Sequence, residues 1–301
     1  METKLLLERI AEFKSKGFDA TFPGKRWDNM GMICEVCYSH RFPANDLIHS
    51  PDGAVLHVCE DCFPLFFEPV KIKKVLITSG GTREYIDGVR VLTNISSGKL
   101  GALICEQFSE VNCSSRRIPT PQYDIYFVYV KGSETPHVGY DKNLHLIEVT
   151  NVETVYVTLS KLVPDMDIVI HPMAVSDFGF RPIHTKLKSN DPEAFIESLR
   201  ERIYQTPKIL NHIRKWNPNC FLVSFKFEDG LTNKELLDIA FDSMNKNGCD
   251  IVIANDKKEM VDSKEHVAYF CRKPDLVTKV VGKNEIAKEI FNSVKNGERK
   301  I

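Results

Sequence analysis

The chain has 301 residues, of which 43% are apolar and 27% are charged, as in a soluble globular protein with one domain and a small module, or with two domains. The formal net charge is −1, so the protein as a whole has no electrostatic attraction for nucleic acid or for a membrane surface. No apolar run is long enough to span a bilayer.

The amino-terminal segment predicts a small zinc module. Its first residues, METKLLLERIAEFKSKG, have the spacing of an amphipathic helix rather than of a secretory signal. Two Cys-x-x-Cys pairs follow with 21 residues between them, and the Ser-Pro-Asp-Gly turn signal at 50–53 predicts a hairpin that brings the pairs together. The pairs supply the four thiolates of a closed, structural Zn²⁺ site: Cys34, Cys37, Cys59 and Cys62.

Alternatives remain for this module. The pairs are redox-active instead if a thioredoxin-like βαβ unit surrounds them, but the sequence shows none. His40 and His57 lie close enough along the chain to replace a cysteine ligand. Residues 1–70 contain seven basic and eleven acidic side chains, so the module is expected to contact protein rather than nucleic acid. The five remaining cysteines occur singly, which favours a reducing cytoplasm.

From residue 71 onward, apolar strands alternate with helical patterns. This alternation predicts an α/β domain over 71–301, with a Rossmann-like, doubly wound, mostly parallel sheet and helices on both faces, preceded by the zinc module over 1–70. The predicted strands are 74–78, 124–130, 144–149, 167–172, 220–227, 250–255 and 267–272. The predicted helices are 99–111, 151–162, 191–204, 207–216, 232–247 and 283–296. Thr232 and Glu235 form a capping box that begins the fifth helix.

Two polar loops follow the first of these strands. Ser79-Gly80-Gly81-Thr82 comes directly after the strand, and Ser96-Ser97-Gly98-Lys99 opens the next helix. Both loops can present backbone N–H groups, and the second adds the positive end of a helix dipole, so the pair predicts two adjacent anion sites. Neither G-x-x-x-x-G-K-[ST] nor G-x-G-x-x-G is present. An ordinary strand–loop–helix crossover is the alternative.

Further polar blocks follow later strands. They are residues 171–178 with Asp177, 181–189 with Lys186 and Lys188, 206–210, 225–228 and 250–256. Because the carboxyl ends of parallel strands meet at one edge of a sheet, these blocks are expected near the first two loops. The two lysines can neutralise charge on a displaced pyrophosphate, although a solvated run of charges is the alternative. Asp177 can hold a metal–phosphate group or a ribose hydroxyl, although a lone aspartate in a loop is more often part of a turn.

Residues 78–98 resemble the opening of the phosphopantothenate–cysteine ligase family, which reads [ST]-x-G-x-T-R-E-x-I-D-x-V-R followed by [ST]-N-x-S-[ST]-G. The later blocks resemble the family's A-A-V-[AS]-D-[FW], R-P…K-I-K-K, [NT]-P-D-I-L, F-[AK]-x-E and D-x-I-V-A-N-D, so the resemblance covers about residues 72–296. The departures from the family pattern are Met173, Ser189, Lys208, Ser243 and Asn247, and Lys246 is a candidate replacement for one missing lysine. The zinc module stands where bifunctional bacterial members carry a flavin-dependent decarboxylase domain.

The resemblance implies a ligase of coenzyme A biosynthesis that joins 4′-phosphopantothenate to cysteine through an acyl-nucleotidylate. CTP or ATP with Mg²⁺ is the implied co-substrate, and the implied assembly is a cytoplasmic homodimer without a nucleic-acid or membrane partner. Asn94 is expected to hold the acyl intermediate, and Lys186 to stabilise charge on the α-phosphate. The implied nucleotide-binding residues are Gly80, Gly81, Thr82, Met173, Asp177, Lys186, Lys188, Thr206, Pro207, Lys208, Ile209, Phe225 and Lys246. The implied phosphopantothenate-binding residues are Asn94, Ser97, Gly98 and Ala174.

Two other functions compete with this interpretation. A Rossmann-type dehydrogenase or sugar-nucleotide enzyme fits the fold class, but the sequence lacks G-x-G-x-x-G. The second alternative is a zinc-containing nucleotide-binding or adaptor protein with a degenerate ligase fold. The residues that depart from the family pattern favour it: Ser189, Lys208, Ser243 and Asn247.

Overall fold

A computed structural model describes residues 11–16, 46–49, 55–58, 72–114, 123–139, 141–181, 183, 185–187, 190–273 and 276–297. The chain divides into two compact units, and Ile72–Ser114 with Tyr123–Ile301 form the larger one. In the smaller unit, residues 11–15 are helical, and β1 (Asp46–His49) pairs antiparallel with β2 (Val55–Val58). This pairing confirms the two arms of the predicted hairpin. The four cysteines of the predicted zinc site lie outside the described residues.

The larger unit alternates strands with helices. Its strands are β3 (Lys73–Ser79), β4 (Arg83–Tyr85), β5 (Val91–Thr93), β6 (Tyr123–Val130), β7 (Leu144–Val149), β8 (Ile168–His171), β9 (Phe178–Phe180), β10 (Ile203–Gln205), β11 (Phe221–Glu228), β12 (Ile251–Asp256), β13 (Val267–Lys273) and β14 (Leu276–Val281). Its helices are α1 (Lys99–Ser114), α2 (Val152–Leu162), α3 (Pro192–Arg202), α4 (Leu210–Trp216), α5 (Asn233–Asn247), α6 (Lys257–Ser263) and α7 (Lys283–Gly297), with a 3₁₀ turn at Val163–Asp165.

Eight strands form one sheet in the order β14-β13-β12-β11-β8-β3-β6-β7. The strands from β12 to β7 are parallel, and β13 and β14 add an antiparallel edge. One core packs α2, α4 and α5 on the first face of the sheet, and a second core packs α1 and α7 on the other face. The predicted α/β class, with a mostly parallel sheet covered on both faces, is therefore confirmed.

Burial on both faces explains the continuous apolar strands. Every residue of β8 and β12 is buried, and along β3 the side chain of Leu76 enters one core while those of Val75 and Ile77 enter the other. The predicted capping box is also confirmed: the Glu235 amide donates to Thr232 Oγ1 at 3.3 Å, and the Thr232 amide donates to the Glu235 carboxylate at 2.9 Å.

The structure corrects several predicted boundaries. Residues 203–204, predicted as helix, belong to β10, which pairs antiparallel with β9, and α4 begins at 210 rather than 207. The antiparallel pair β4–β5, helix α6 and strand β14 were not predicted. Three-residue strands and largely exposed elements carry little apolar periodicity, so the sequence pattern could not indicate them. Within the described part of the chain, none of the helices combines the length and apolar character that crossing a membrane requires.

Candidate functional site

The loops that follow β3 and β8 are joined by backbone hydrogen bonds. The Ala174 amide donates to the Gly80 carbonyl at 2.9 Å, and the Thr82 amide donates to the Ala174 carbonyl at 3.1 Å. Gly81 and Ala174 form an isolated parallel bridge. These bonds continue the β3–β8 pairing past the carboxyl ends of the strands, where sheets of this type bind ligands. Gly80 and Ala174, which belong to separate sequence motifs, are thus neighbours.

Two glycines allow this edge to pack closely. Gly80 has a φ of +88° and Gly98 a φ of +82°, a region that side chains disfavour. A Cβ at Gly80 would lie 2.0 Å from Ser133 Oγ, and one at Gly98 would lie 2.9 Å from Ser79 Oγ. Ser79 Oγ donates to the Gly98 carbonyl at 2.9 Å. Because Gly98 directly precedes α1, this contact holds the amino terminus of the helix against the end of β3.

A cavity of about 280 Å³, the smaller cavity, opens beside these loops. Five residues that the sequence predicted as ligand-binding line it: Gly80, Ser97, Gly98, Ala174 and Phe225. Its lining also includes Asn255, His266 and Lys283, which were not among the predicted site residues. Asn255 lies in the Asp250–Asp256 block that the sequence singled out, whereas His266 and Lys283 carried no signal. Burial, together with the charge of Lys283, lowers the pKa of His266 to about 4, so its ring is neutral at pH 7.

A second cavity of about 500 Å³, the larger cavity, lies at the carboxyl ends of β8 and β11 and is bordered by α4 and α5. Seven of the predicted nucleotide-binding residues line it: Met173, Asp177, Pro207, Lys208, Ile209, Phe225 and Lys246. His171 and Ser224 line it as well and were missed, because a single buried polar residue in an apolar strand has no sequence signature. Phe225 and Phe227 line both cavities, so the two adjoin.

Lysines supply the positive charge of the larger cavity. Lys208 pairs with Asp177, and each side chain of this pair is about half exposed, so a phosphate oxygen can compete for the ammonium group. Among the residues that the structure describes, Lys246 has no ion-pair partner, and its exposed side chain borders the cavity. Ser243 and Asn247, the two departures on α5, also border it, and the Asn247 amide group donates to the Ser243 carbonyl at 2.9 Å.

Three predicted nucleotide-binding residues contact other parts of the protein and line neither cavity. Thr82 Oγ1 accepts from the Ser176 amide at 2.9 Å, and Thr206 Oγ1 donates to the Ser176 carbonyl at 2.5 Å. Both threonines are buried, so they hold the loop after β8 from beneath. At Gly81 a Cβ would lie 2.5 Å from the Asn94 carbonyl oxygen, so this glycine permits the close approach of the segment that carries Asn94.

The two predicted catalytic side chains, those of Asn94 and Lys186, are exposed and line neither cavity. Asn94 is placed beside the joined loops through its contact with Gly81. Lys188, predicted to bind nucleotide, lies outside the described residues. The structure thus brings together most of the predicted nucleotide site and most of the predicted phosphopantothenate site, and it leaves the catalytic pair at the periphery.

A buried carboxylate ties the Lys186 segment to the loop after β4. Asp87 Oδ2 accepts from the Leu187 amide at 3.1 Å and from Arg90 Nη1 at 2.8 Å, and Arg90 Nη1 also donates to the Leu187 carbonyl at 3.3 Å. Burial raises the pKa of Asp87, but amide donors at Val89, Leu187 and Arg90 and the Arg90 charge outweigh it, so the pKa lies below 3.8. The residue next to Lys186 is therefore fixed by a charged anchor.

Asp87→Asn is expected to loosen this anchor. The substituted amide nitrogen cannot accept from Leu187, so the exchange of the Leu187 amide hydrogen should become about tenfold faster. Hydrogen–deuterium exchange followed by mass spectrometry measures this, with the exposed Asp238→Asn on α5 as the matched control. Equal protection of residue 187 in all three proteins would show that Asp87 does not restrain the segment.

Among the described residues, no group of three or more His, Cys, Asp or Glu side chains is arranged to hold a metal ion. The predicted cysteine ligands lie outside the described residues. At the larger cavity, the Asp177 carboxylate is of the hard-oxygen type that Mg²⁺ accepts when substrate phosphates complete its coordination.

Comparison with known proteins relates this chain to one family. The family described as DNA/pantothenate metabolism flavoprotein C-terminal domain matches residues 70–297. The chain is 31% identical over 227 residues to the coenzyme A biosynthesis bifunctional protein CoaBC of Thermococcus kodakarensis, covering 74% of this chain and 51% of that protein. It is 30% identical over 223 residues to CoaBC of Methanocaldococcus jannaschii, covering 74% and 50%. The chain therefore spans about half the length of these relatives.

A solved structure supports the same relationship. The crystal structure described as the DNA/pantothenate metabolism flavoprotein from Streptococcus pneumoniae aligns with a TM-score of 0.59 at 28% identity, covering 75% of this chain and 99% of that one. The matched region contains both cavities and the sheet edge that joins them. This chain thus belongs to the family of the DNA/pantothenate metabolism flavoprotein C-terminal domain.

Proposed function

We propose that this chain is a ligase that joins 4′-phosphopantothenate to cysteine at the expense of CTP or ATP, a step of coenzyme A biosynthesis. The observation that carries this proposal is the pair of adjoining cavities that share Phe225 and Phe227. The larger cavity is lined by seven residues expected to bind the nucleotide. The smaller cavity is lined by Ser97, Gly98 and Ala174, expected to bind the phosphorylated acid, and by two residues expected to bind the nucleotide, Gly80 and Phe225. The names of the CoaBC relatives support the same pathway.

Two adjoining sites suit a reaction in which a carboxylate must first be activated. In the first step, a carboxylate oxygen of phosphopantothenate attacks the α-phosphorus of the nucleotide, the bond to the β-phosphate oxygen breaks, and pyrophosphate leaves. In the second step, the cysteine amine attacks the acyl carbon and loses a proton, the acyl C–O bond breaks, and the nucleoside monophosphate leaves. Positioning and charge stabilisation suffice for these steps, so no protein nucleophile is required.

Each cavity contributes particular groups to this chemistry. In the smaller cavity, the loop at Gly98 and the amino terminus of α1 offer N–H donors to the phosphate of phosphopantothenate. In the larger cavity, Lys246 and Lys208 face the triphosphate. Asp177 is the residue we propose for Mg²⁺, which would neutralise charge on the phosphates. Release of Asp177 from Lys208 would free both groups for this task.

Pyrophosphate release with CTP and ATP in parallel tests the proposal. We expect release that requires phosphopantothenate, and an amide product that also requires cysteine. Nucleotide binding without pyrophosphate release would instead indicate the zinc-containing adaptor. A thermal shift with nicotinamide cofactors but not with CTP or ATP would indicate the dehydrogenase.

A structural zinc site at Cys34, Cys37, Cys59 and Cys62 belongs to the same proposal. Two Cys-x-x-Cys pairs on either side of the β1–β2 hairpin support it, because two tight turns can complete a tetrahedral sulfur shell. We expect about one zinc per chain by elemental analysis and its loss in Cys34→Ser, with Cys113→Ser as the matched control. Equal zinc in the two variants, or none in the wild type, would refute the site.

The proposed assembly is a cytoplasmic homodimer. Apolar side chains of the β4–β5 region are exposed, among them Val89 at 65%, Tyr85 at 48% and Leu92 at 40%, as expected of a surface that a second copy covers. Among the described residues, Cys105, Cys220, Cys249 and Cys271 are buried free thiols, in accord with a reducing compartment. Light scattering at several concentrations tests the dimer, and a monomer at all of them would exclude it.

A further inference from the structure

His171 is a buried polar side chain in the wall of the larger cavity. It is the last residue of β8, it is 7% exposed, and it lies beside Ser224 of β11 in the register of the sheet. Both residues line the cavity, and Ser224 is 1% exposed. The reaction steps described above assign no role to His171.

The hydrogen bond to Thr78 determines which ring nitrogen carries the proton. His171 Nδ1 lies 2.8 Å from Thr78 Oγ1, which also accepts from the Met173 amide at 3.3 Å. Thr78 is fully buried, and no other acceptor for its hydroxyl proton is found among the described residues. Because a buried hydroxyl rarely leaves its proton unpaired, Thr78 donates to Nδ1, and the ring proton resides on Nε2. Burial lowers the pKa of His171 to about 4, so the ring is neutral at pH 7.

The resulting Nε2–H group is a donor without a partner in the described part of the chain. The only hydrogen bond of the ring there is the one to Thr78. Since the ring borders the larger cavity, a ligand atom with a lone pair can complete its hydrogen bonding there. Because the Nε2–H group of His171 is a neutral donor in a fixed position, it favours a ligand that places an acceptor atom next to it and disfavours one that places an N–H group there.

Charge is distributed unevenly in the larger cavity. Its charged members Asp177, Lys208, Asp242 and Lys246 are exposed, and Lys226 is partly buried and paired with Glu228 at 2.9 Å, whereas His171, Met173, Ile209 and Ser224 are buried and uncharged. A triphosphate belongs with the exposed cations, because a phosphate buried beside a neutral ring would lack a counter-charge. A nucleobase is planar and uncharged, so it suits the buried end.

We propose that the Nε2–H group of His171 donates a hydrogen bond to an acceptor atom on the nucleobase of the nucleotide substrate. This inference rests on the proposed function, and it assigns the recognition of the base to His171. The acceptors available are O2 and N3 of cytosine, or N1, N3 and N7 of adenine. Thr78 acts as a positioning residue that keeps Nδ1 unprotonated.

Calorimetric titration of nucleotides and of inorganic tripolyphosphate, both with Mg²⁺, separates base recognition from phosphate binding. His171→Phe keeps a ring but removes the donor, so affinity for the preferred nucleotide should fall about tenfold while affinity for tripolyphosphate stays unchanged. His171→Gln, which can place an amide N–H near the position of Nε2, should recover part of the loss. His145→Phe, half exposed on β7 and outside both cavities, is the matched control.

The outcomes are distinct. Wild-type protein labelled at its imidazole nitrogens should show a shift of the His171 Nε2–H resonance with nucleotide but not with tripolyphosphate, a readout that does not depend on a variant folding. Equal nucleotide affinity in His171→Phe and wild type, equal losses for nucleotide and tripolyphosphate, or equal resonance shifts with both would overturn this inference alone. A wild-type protein that binds no nucleoside triphosphate would overturn the proposed function, and this inference with it.

Discussion

The Asn94→Asp variant is expected to release pyrophosphate while forming about 100-fold less amide product than the wild type. An asparagine amide can donate a hydrogen bond to the acyl-nucleotidylate, whereas a carboxylate only accepts and adds a negative charge beside an anionic intermediate. The side chain is exposed, and its backbone packs on Gly81 in the loop that joins the ends of β3 and β8. Pyrophosphate and product should be quantified in the same reaction, so that the two steps are separated.

Asn292→Asp makes the same chemical change on an exposed position of α7 that lines neither cavity. It should leave both steps at wild-type rates. If Asn94→Asp forms product as fast as this control does, Asn94 does not hold the intermediate. If it also stops releasing pyrophosphate, its role lies in the first step instead.

Lys186→Gln is expected to lower kcat for pyrophosphate release about 100-fold with little change in KM for the nucleotide. Lys186 is exposed and lies outside both cavities, so it contributes little to binding in this arrangement. Its neighbour Leu187 is anchored by Asp87 and Arg90, so the backbone beside Lys186 is held in one place. Stabilisation that arises only as charge develops affects kcat and not ground-state affinity.

The matched control for this variant is Lys161→Gln, an exposed position at the end of α2. A loss in Lys186→Gln that appears entirely in KM would assign the lysine to nucleotide binding. An unchanged rate would remove it from the mechanism. Steady-state kinetics over a range of nucleotide concentrations distinguishes these results.

The apolar runs of the sequence were sufficient to place seven of the eight strands of the central sheet, all but β14. β8 and β12 are buried along their whole length, and strands buried on both faces have mostly apolar sequences. The sequence pattern did not predict the short antiparallel pair β9–β10. Ile203 continues a helical pattern along the chain, yet it pairs with Phe180, which is distant in sequence, and this pairing ends α3 at Arg202. Pairing with a distant strand thus outweighs the local helix propensity of Ile203, and strands of three residues are too short to show a pattern of their own.

In the candidate site, too, some features could be predicted from the sequence and others could not. The fold class and the family could be predicted from the sequence, as could seven lining residues of the larger cavity and five of the smaller, because most of these residues occur in contiguous motifs. The sequence did not indicate that the hydroxyls of Thr82 and Thr206 bond to Ser176 or that Thr78 orients His171; these contacts are known from the folded structure. The physical reason is that each of these contacts joins segments that are far apart along the chain. Strand register and the packing of loops bring such partners together, and no local pattern of residues records it.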